Sequence, residues 1–234
     1  MSKKKKLLRF ADTKVFKNVS EPPMEEFFNK EEGTPFAHSL AGNWRSSIFK
    51  NENPIVLELG CGKGEYSIGM AKAFPNKNFI GVDIKGNRIW YGAKEALDNE
   101  IDNVHFLRTR IDFITAFFTK NEIDEIWITF PDPQEKENRA RKRLTAKMFI
   151  DRYKRFLKPD GIIHLKTDSA FLYEFTQEEI NEHGYKSFLS TADLYGEAIG
   201  EFDDFMQKIL NIKTYYEELF TARGHVITYT QFRP

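Results

Sequence analysis

The 234-residue sequence predicts an α/β domain with a doubly wound, Rossmann-like, seven-stranded sheet, mainly parallel with an antiparallel last strand. Three observations carry this. From Pro54 onward, short apolar runs alternate with segments of helical spacing. The first apolar run ends in a cluster of glycines, as a strand feeding a ligand-binding turn does. No ordinary crossover-helix pattern follows the last two strand-like segments, so the final one is placed antiparallel.

The elements follow in order. Ile55–Leu59 reads as a buried parallel strand, and Glu65–Phe74 has helical spacing that stops at Pro75. Asn78–Asp83 and Gly86–Asn99 repeat the pair, and Asn103–Leu107 is a third strand before a helical Ile111–Thr119. Glu125–Phe130 is the fourth strand, closed by Pro131, and Thr145–Leu157 a helix stopped at Pro159. Ile162–Lys166 is the fifth strand, and Ala170–Glu182 a helix ended by Gly184. Tyr185–Ser190 and His225–Phe232 alternate as strands six and seven, around a helical or irregular insert over 191–224. Residues 1–53 carry a lysine cluster, Pro22-Pro23, Gly33 and Pro35 without sustained periodicity. They read as a basic arm and a packing extension around Phe36–Phe49, ahead of a domain over 54–234.

Composition narrows the function classes. A single cysteine, Cys61, leaves no internal disulfide and no cysteine-rich metal cluster. The five histidines are scattered without ligand spacing, so no metal site is expected. No apolar run approaches the ~20 residues of a membrane span, and no long apolar segment follows the basic start. A cytoplasmic protein without a membrane partner is therefore expected; monomer and homodimer stay open. Charge balances at 35 Lys+Arg against 35 Asp+Glu but is segregated. Gln134–Lys158 holds ten cations against three acids, and Glu174–Asp204 nine acids against one lysine.

The segment Val56-Leu57-Glu58-Leu59-Gly60-Cys61-Gly62-Lys63-Gly64 places three glycines at alternate positions where the first strand turns into the first helix. Glycine there lets a ligand approach the backbone. The GxGxG spacing departs from the GxGxxG of nicotinamide sites, and Glu58, two residues earlier, suits a cofactor with a free amino group. Asp83 ends the second strand, where a carboxylate accepts both hydroxyls of a ribose. Asp112 follows the third, near where an adenine edge would lie. As single residues these acids read equally well as turn or N-cap residues. Together they mark the strand C-ends that form the crevice of such sheets. Glu58, Gly60, Gly62, Gly64, Asp83 and Asp112 resemble the class I S-adenosylmethionine methyltransferases. That resemblance implies Glu58 by the methionine end, Asp83 on the ribose and Asp112 near the adenine.

The fourth strand ends in Phe130-Pro131-Asp132-Pro133, a carboxylate between two prolines, followed by a basic run from Lys136 to Arg143 suited to a phosphate backbone. With Thr167-Asp168 after the fifth strand and Thr214-Tyr215-Tyr216-Glu217 before the last, the pattern is similar to the bacterial single-subunit tRNA (guanine-N7-)-methyltransferase family. The similarity implies methyl transfer from S-adenosylmethionine to N7 of a guanosine in the tRNA variable loop. It implies Asp132 as the catalytic-site acid, also bordering the cofactor, and Lys136, Asp168, Thr214 and Glu217 as substrate contacts. Gln134 stands where the family often has Trp, Tyr216 where it has Phe, and Leu219–Ala222 lengthen the gap before Arg223-Gly224. Trp90, Trp127, Tyr215 and Tyr216 are candidates to stack on the base, Trp127 fitting the core better, and the lysines at 3–6 read equally as a clamp on phosphates or as a flexible solubilising tail. Methylation of another RNA, a small molecule or a protein, and a non-catalytic RNA-binding role, are the competing readings. Asp132 and the basic run argue against the last and the middle of these.

Overall fold

The computed structural model describes residues 3–234, without the side chains of residues 3–5, 197 and 198. The backbone of the lysine cluster opens helix α1 (Lys3–Thr13); the side chains of Lys3–Lys5, on which most of the expected phosphate clamp falls, lie outside the described residues. Three two-residue strands follow: β1 (Val19–Ser20), β2 (Phe28–Asn29) and β3 (Thr34–Pro35). The alternating part then runs β4 (Ile55–Leu59), α2 (Glu65–Ala73), β5 (Asn78–Asp83), α3 (Gly86–Asp98), β6 (Val104–Arg108) and β7 (Ile123–Thr129). It continues with α4 (Lys147–Tyr153), β8 (Leu157–Thr167), α5 (Ala170–Glu182), β9 (Lys186–Thr191), α6 (Asp204–Leu210), α7 (Tyr215–Thr221) and β10 (Thr228–Arg233).

The main sheet has the order β1-β6-β5-β4-β7-β8-β10-β9, with β10 antiparallel to both its neighbours. It has eight strands where the sequence predicts seven. The extra one is β1, which pairs parallel with β6 (Val19 opposite Phe106) and is too short to carry a periodic signal. Order reverses between β4 and β7, so the C-ends of β4, β5, β6, β7 and β8 open onto the crevice where ligands of such sheets bind. The predicted helix Thr145–Leu157 is shorter, ending at Tyr153. The fifth strand instead begins at Leu157 and runs through Pro159. Its register against β7 shifts between Ile123 and Glu125, and proline, which donates no ladder hydrogen bond, is tolerated at such an irregularity.

Side-chain alternation divides the core. Ile126 and Ile128 of β7 point into the half that holds Trp44, Phe117 and Phe156, and Trp127 into the half that holds Tyr66 and Tyr229. Trp44 is fully buried and its indole N–H donates to Phe117 O at 2.8 Å. Two buried histidines tie this core to pH. Burial pushes both His105 and His164 down to about 4, and His164 lies stacked on Trp127 with ring centroids 4.0 Å apart. Their folded values lie below the ordinary histidine value, so the unfolded chain takes up protons first on acidification. Stability is therefore full above about 6.5 and falls as the pH drops toward 4. Melting temperature across this range checks it. A His164→Gln variant is expected to flatten part of that slope.

Candidate active site

The glycine loop is built by its backbone. Gly60, Gly62 and Gly64 all sit at positive φ (80, 56 and 76°), a region that disfavours any residue with a Cβ. At Gly64 space forbids one as well, since a Cβ would lie 2.6 Å from the Phe106 ring. At Gly60 a Cβ would meet nothing within 4 Å, so this part of the loop faces open space. Asp83 ties the loop to β5: Oδ2 accepts the Gly62 N–H at 3.0 Å and Oδ1 the Lys85 N–H at 2.7 Å. A carboxylate has about four acceptor sites, so Asp83 retains capacity for a diol. Glu58 is placed differently from expectation. It lies 2 % exposed beneath the loop. Oε2 accepts the Ser67 N–H at 2.9 Å and the Ser67 hydroxyl, and Oε1 the Thr129 hydroxyl at 2.6 Å. Burial raises its pKa against these hydrogen bonds. Glu58 thus joins α2 and β7 under the loop rather than projecting into the crevice. Burial also keeps the neighbouring Cys61 thiol protonated, well above its usual range.

Two adjoining hollows occupy the crevice. One, of about 420 Å³, is lined by Gly60, Asp83, Asp112, Thr109 and Gln134. The other, of about 630 Å³, is lined by Asp168, Phe171, Tyr216, Phe220 and His225. Lys85, Arg88, Phe130, Pro131 and Asp132 line both. A larger hollow of about 910 Å³ around Lys17, Phe49 and His105 lies by the start of β6, away from the strand C-ends. The smaller crevice hollow fits an adenosyl group on one further observation. Thr109 Oγ1 and Gln134 Oε1 are buried without a hydrogen-bond partner, and such orphaned groups call for a polar occupant. Asp112, at the first turn of a 3₁₀ segment, holds Arg110 at 3.0 Å on the rim. Gln134, noted in the sequence only as a departure from Trp, therefore belongs to this hollow.

Asp132 stands on the dividing wall. The flanking Phe130 and Gln134 both have positive φ (47 and 49°), a strained state for bulky residues that surrounding structure must enforce. Asp132 Oδ1 accepts the Gln134 N–H at 3.1 Å; no hydrogen bond to Oδ2 occurs among the described residues. Arg143 does much of the enforcing. It is 4 % exposed, donates to Gln134 O at 3.2 Å and Glu135 O at 3.4 Å, and lies between the Phe171 and Phe175 rings at 4.6 and 4.4 Å. The basic run thus divides by task. Lys136, Arg139 and Arg141 are exposed, Lys142 lines the smaller hollow, and Arg143 is part of the interior. Arg143→Ala is expected to lower stability by about 2–4 kcal/mol, from lost charged hydrogen bonds and cation–π contacts. An Arg139→Ala/Arg141→Ala pair should leave the melting temperature unchanged and reduce the salt slope of RNA binding by about 2. Equal melting temperatures for wild type and Arg143→Ala contradict this division.

The remaining expected substrate contacts separate. Asp168 lines the larger hollow and its Oδ2 pairs with His225 Nδ1 at 3.1 Å. The cap of α5 is Ser169, which accepts the Leu172 N–H, so Asp168 is not spent on capping. His225 was invisible as a lone histidine. Thr214 caps α7 by accepting the Glu217 N–H at 3.1 Å. Glu217 does not reach the hollow: it is fully buried, paired with Lys166 Nζ at 2.9 Å and accepting the Tyr195 hydroxyl. Lys136 is exposed outside both hollows. Of the stacking candidates, Tyr216 lines the larger hollow, Trp127 is fully buried, and Trp90 and Tyr215 lie outside it.

A sheet with its last strand reversed, carrying a glycine loop and acids at its strand C-ends, defines the class I methyltransferase fold. Solved structures agree. They include the 16S rRNA methyltransferase KamB (TM-score 0.59, 12% identity, covering 89% of this chain and 99% of that one). They also include an S-adenosylmethionine-dependent methyltransferase from Aquifex aeolicus (TM-score 0.52, 13% identity, 95% and 96% covered). A family model described as "Putative methyltransferase" matches residues 52–230. The tRNA (guanine-N(7)-)-methyltransferase of Christiangramia forsetii is 45% identical over 233 residues, 100% of this chain and 99% of that protein. That of Bacteroides fragilis is 48% identical over 229 residues, 98% and 85% covered. The chain belongs to the tRNA (guanine-N7-)-methyltransferase family.

Proposed function

We propose that the protein transfers the methyl group of S-adenosylmethionine to N7 of a guanosine in tRNA, the target lying in the variable loop. The observation that carries this reading is the position of Asp132 on the wall common to the two hollows. A group held in one hollow meets a group held in the other across that carboxylate.

The chain's residues divide the work. Asp83 and the glycine loop, with Thr109 and Gln134, hold the donor, and Asp112 borders it. Bound there, S-adenosylmethionine supplies an electrophilic methyl on a sulfonium sulfur. Guanine N7 carries an in-plane lone pair and no proton at neutral pH, so no general base is needed. What the protein must supply is alignment and electrostatics. Asp132, with Oδ2 open, and Asp168, held by His225, accept hydrogen bonds from guanine N1–H and the 2-amino group. Those bonds strengthen as the purine becomes cationic, which favours the transition state over the bound substrate. Phe171 and Tyr216 enclose a base that has left its stack. Glu58 and Glu217 act as positioning residues, each from beneath an element of the crevice.

The test is incubation with labelled S-adenosylmethionine and unmodified bulk tRNA, followed by digestion and identification of the labelled nucleoside. The expected product is 7-methylguanosine from the variable loop. Label in another nucleoside, or none with competent tRNA, overturns the reading.

A further inference from the structure

The larger hollow takes one base, yet exposed rings and cations continue well beyond it. Tyr216, on its rim, contacts Tyr215 edge-to-face at 5.7 Å and receives a hydrogen bond from Arg88 at 3.2 Å. Lys63 Nζ lies 4.3 Å from the Tyr215 ring and 5.7 Å from that of Tyr91. Arg9 of α1 closes the row, stacked 4.2 Å over Tyr91 and donating to its hydroxyl at 2.6 Å. The row thus joins α1, α3, the glycine loop and α7, four segments distant in sequence. Its rings are open to solvent: Tyr215 is 52%, Tyr91 40% and Tyr216 37% exposed.

We propose that this row is a track for the unpaired RNA strand beside the target guanosine, its tyrosines stacking on flanking bases and its cations meeting their phosphates. This rests on the reading of the protein as a tRNA methyltransferase. Three features select that occupant. Large rings left in water in one continuous line mark an interaction surface. Cations interleaved with the rings suit a strand that alternates π-faces with anionic groups, whereas the cores of protein interfaces are poor in lysine. The row also runs unbroken into the cleft through Tyr216, so a strand delivering a base there leads its neighbours across it. Extraction of the target base from its stack leaves those neighbours without partners, and stacking on the row replaces what they lose.

Binding of an unmodified tRNA transcript to Tyr91→Ala/Tyr215→Ala, measured by fluorescence anisotropy across a salt series, tests this. Both residues lie outside the two hollows, so thermal stabilisation by S-adenosylhomocysteine should match wild type and certify the fold. Affinity is expected to fall by about tenfold per ring, with an unaltered salt slope because no charge is removed. The Tyr91→Phe/Tyr215→Phe pair keeps the rings and should bind as wild type. Unchanged affinity in the Ala pair, from a preparation whose wild type methylates tRNA, overturns the track and leaves the enzyme reading intact. A wild type that neither binds nor methylates the transcript overturns both.

Discussion

Asp132→Asn is expected to lower the single-turnover rate of methyl transfer by about a hundredfold, the usual loss for one electrostatic contact aimed at developing charge. Asparagine nearly matches aspartate in shape, and its carbonyl oxygen can still accept the Gln134 N–H that Oδ1 accepts now. The exposed half of the group then becomes an NH₂, a donor set against guanine donors. Both the lost charge and the reversed hydrogen bond matter more as the purine turns cationic. The rate at saturating tRNA and donor should therefore fall further than tRNA affinity. Stabilisation by S-adenosylhomocysteine should largely persist, because the residues proposed to hold it, the glycine loop and Asp83, are untouched. A near wild-type single-turnover rate shows that the acid serves only the shape of the Phe130–Gln134 loop.

Glu217→Gln is expected to cost about 3–5 kcal/mol of stability, the range for breaking a buried ion pair from one side. Lys166 and Glu217 are both 0% exposed at 2.9 Å, and Lys166 also donates to Leu210 O at 2.7 Å. Burial pushes the Lys166 ammonium down to about 8 even with Glu217 beside it. Without that carboxylate the lysine must lose its proton to stay buried. A lysine whose folded value lies below its unfolded value of about 10.4 adds stability as pH rises between the two. The deficit of the variant should therefore shrink as pH rises from 7 to about 8, where the wild-type lysine also loses its proton, and stay level above that. A Lys166→Met/Glu217→Gln double variant should recover most of it, since no uncompensated charge remains. An unchanged melting temperature in Glu217→Gln with a raised tRNA Michaelis constant instead places Glu217 on the substrate.

The parts of the fold written in local pattern were legible. Ile55–Leu59, Asn78–Asp83 and Ala170–Glu182 occupy the predicted bounds. Each combines a periodic or continuous apolar run with a breaker at its end. The antiparallel last strand followed from connectivity alone. What escaped depends on partners distant in sequence. Glu217 stands in a motif that reads as a substrate contact. Its partner Lys166 is 51 residues away on β8, and no local signal announces a buried pair. Arg143 looked like one more cation in a run; only the Phe171 and Phe175 rings, brought over it by α5, make it interior. Glu58 shows the same limit from the other side, since Ser67 and Thr129 draw under the loop a carboxylate expected in the crevice. The placement of Asp132 on the crevice was legible because its determinants are local. Two prolines fix the backbone, and the strand end fixes the place.

In the proposed reaction a lone pair at guanine N7 attacks across the wall that bears Asp132. That attack is tested most directly with a tRNA transcript in which 7-deazaguanosine replaces guanosine. That substitution exchanges the N7 lone pair for a C–H and keeps the N1–H and 2-amino donors that Asp132 and Asp168 are proposed to hold. The deaza transcript is expected to compete with ordinary tRNA at comparable affinity and to accept no methyl group in single turnover. Methyl transfer to the deaza transcript at a rate near that of ordinary tRNA overturns attack by N7.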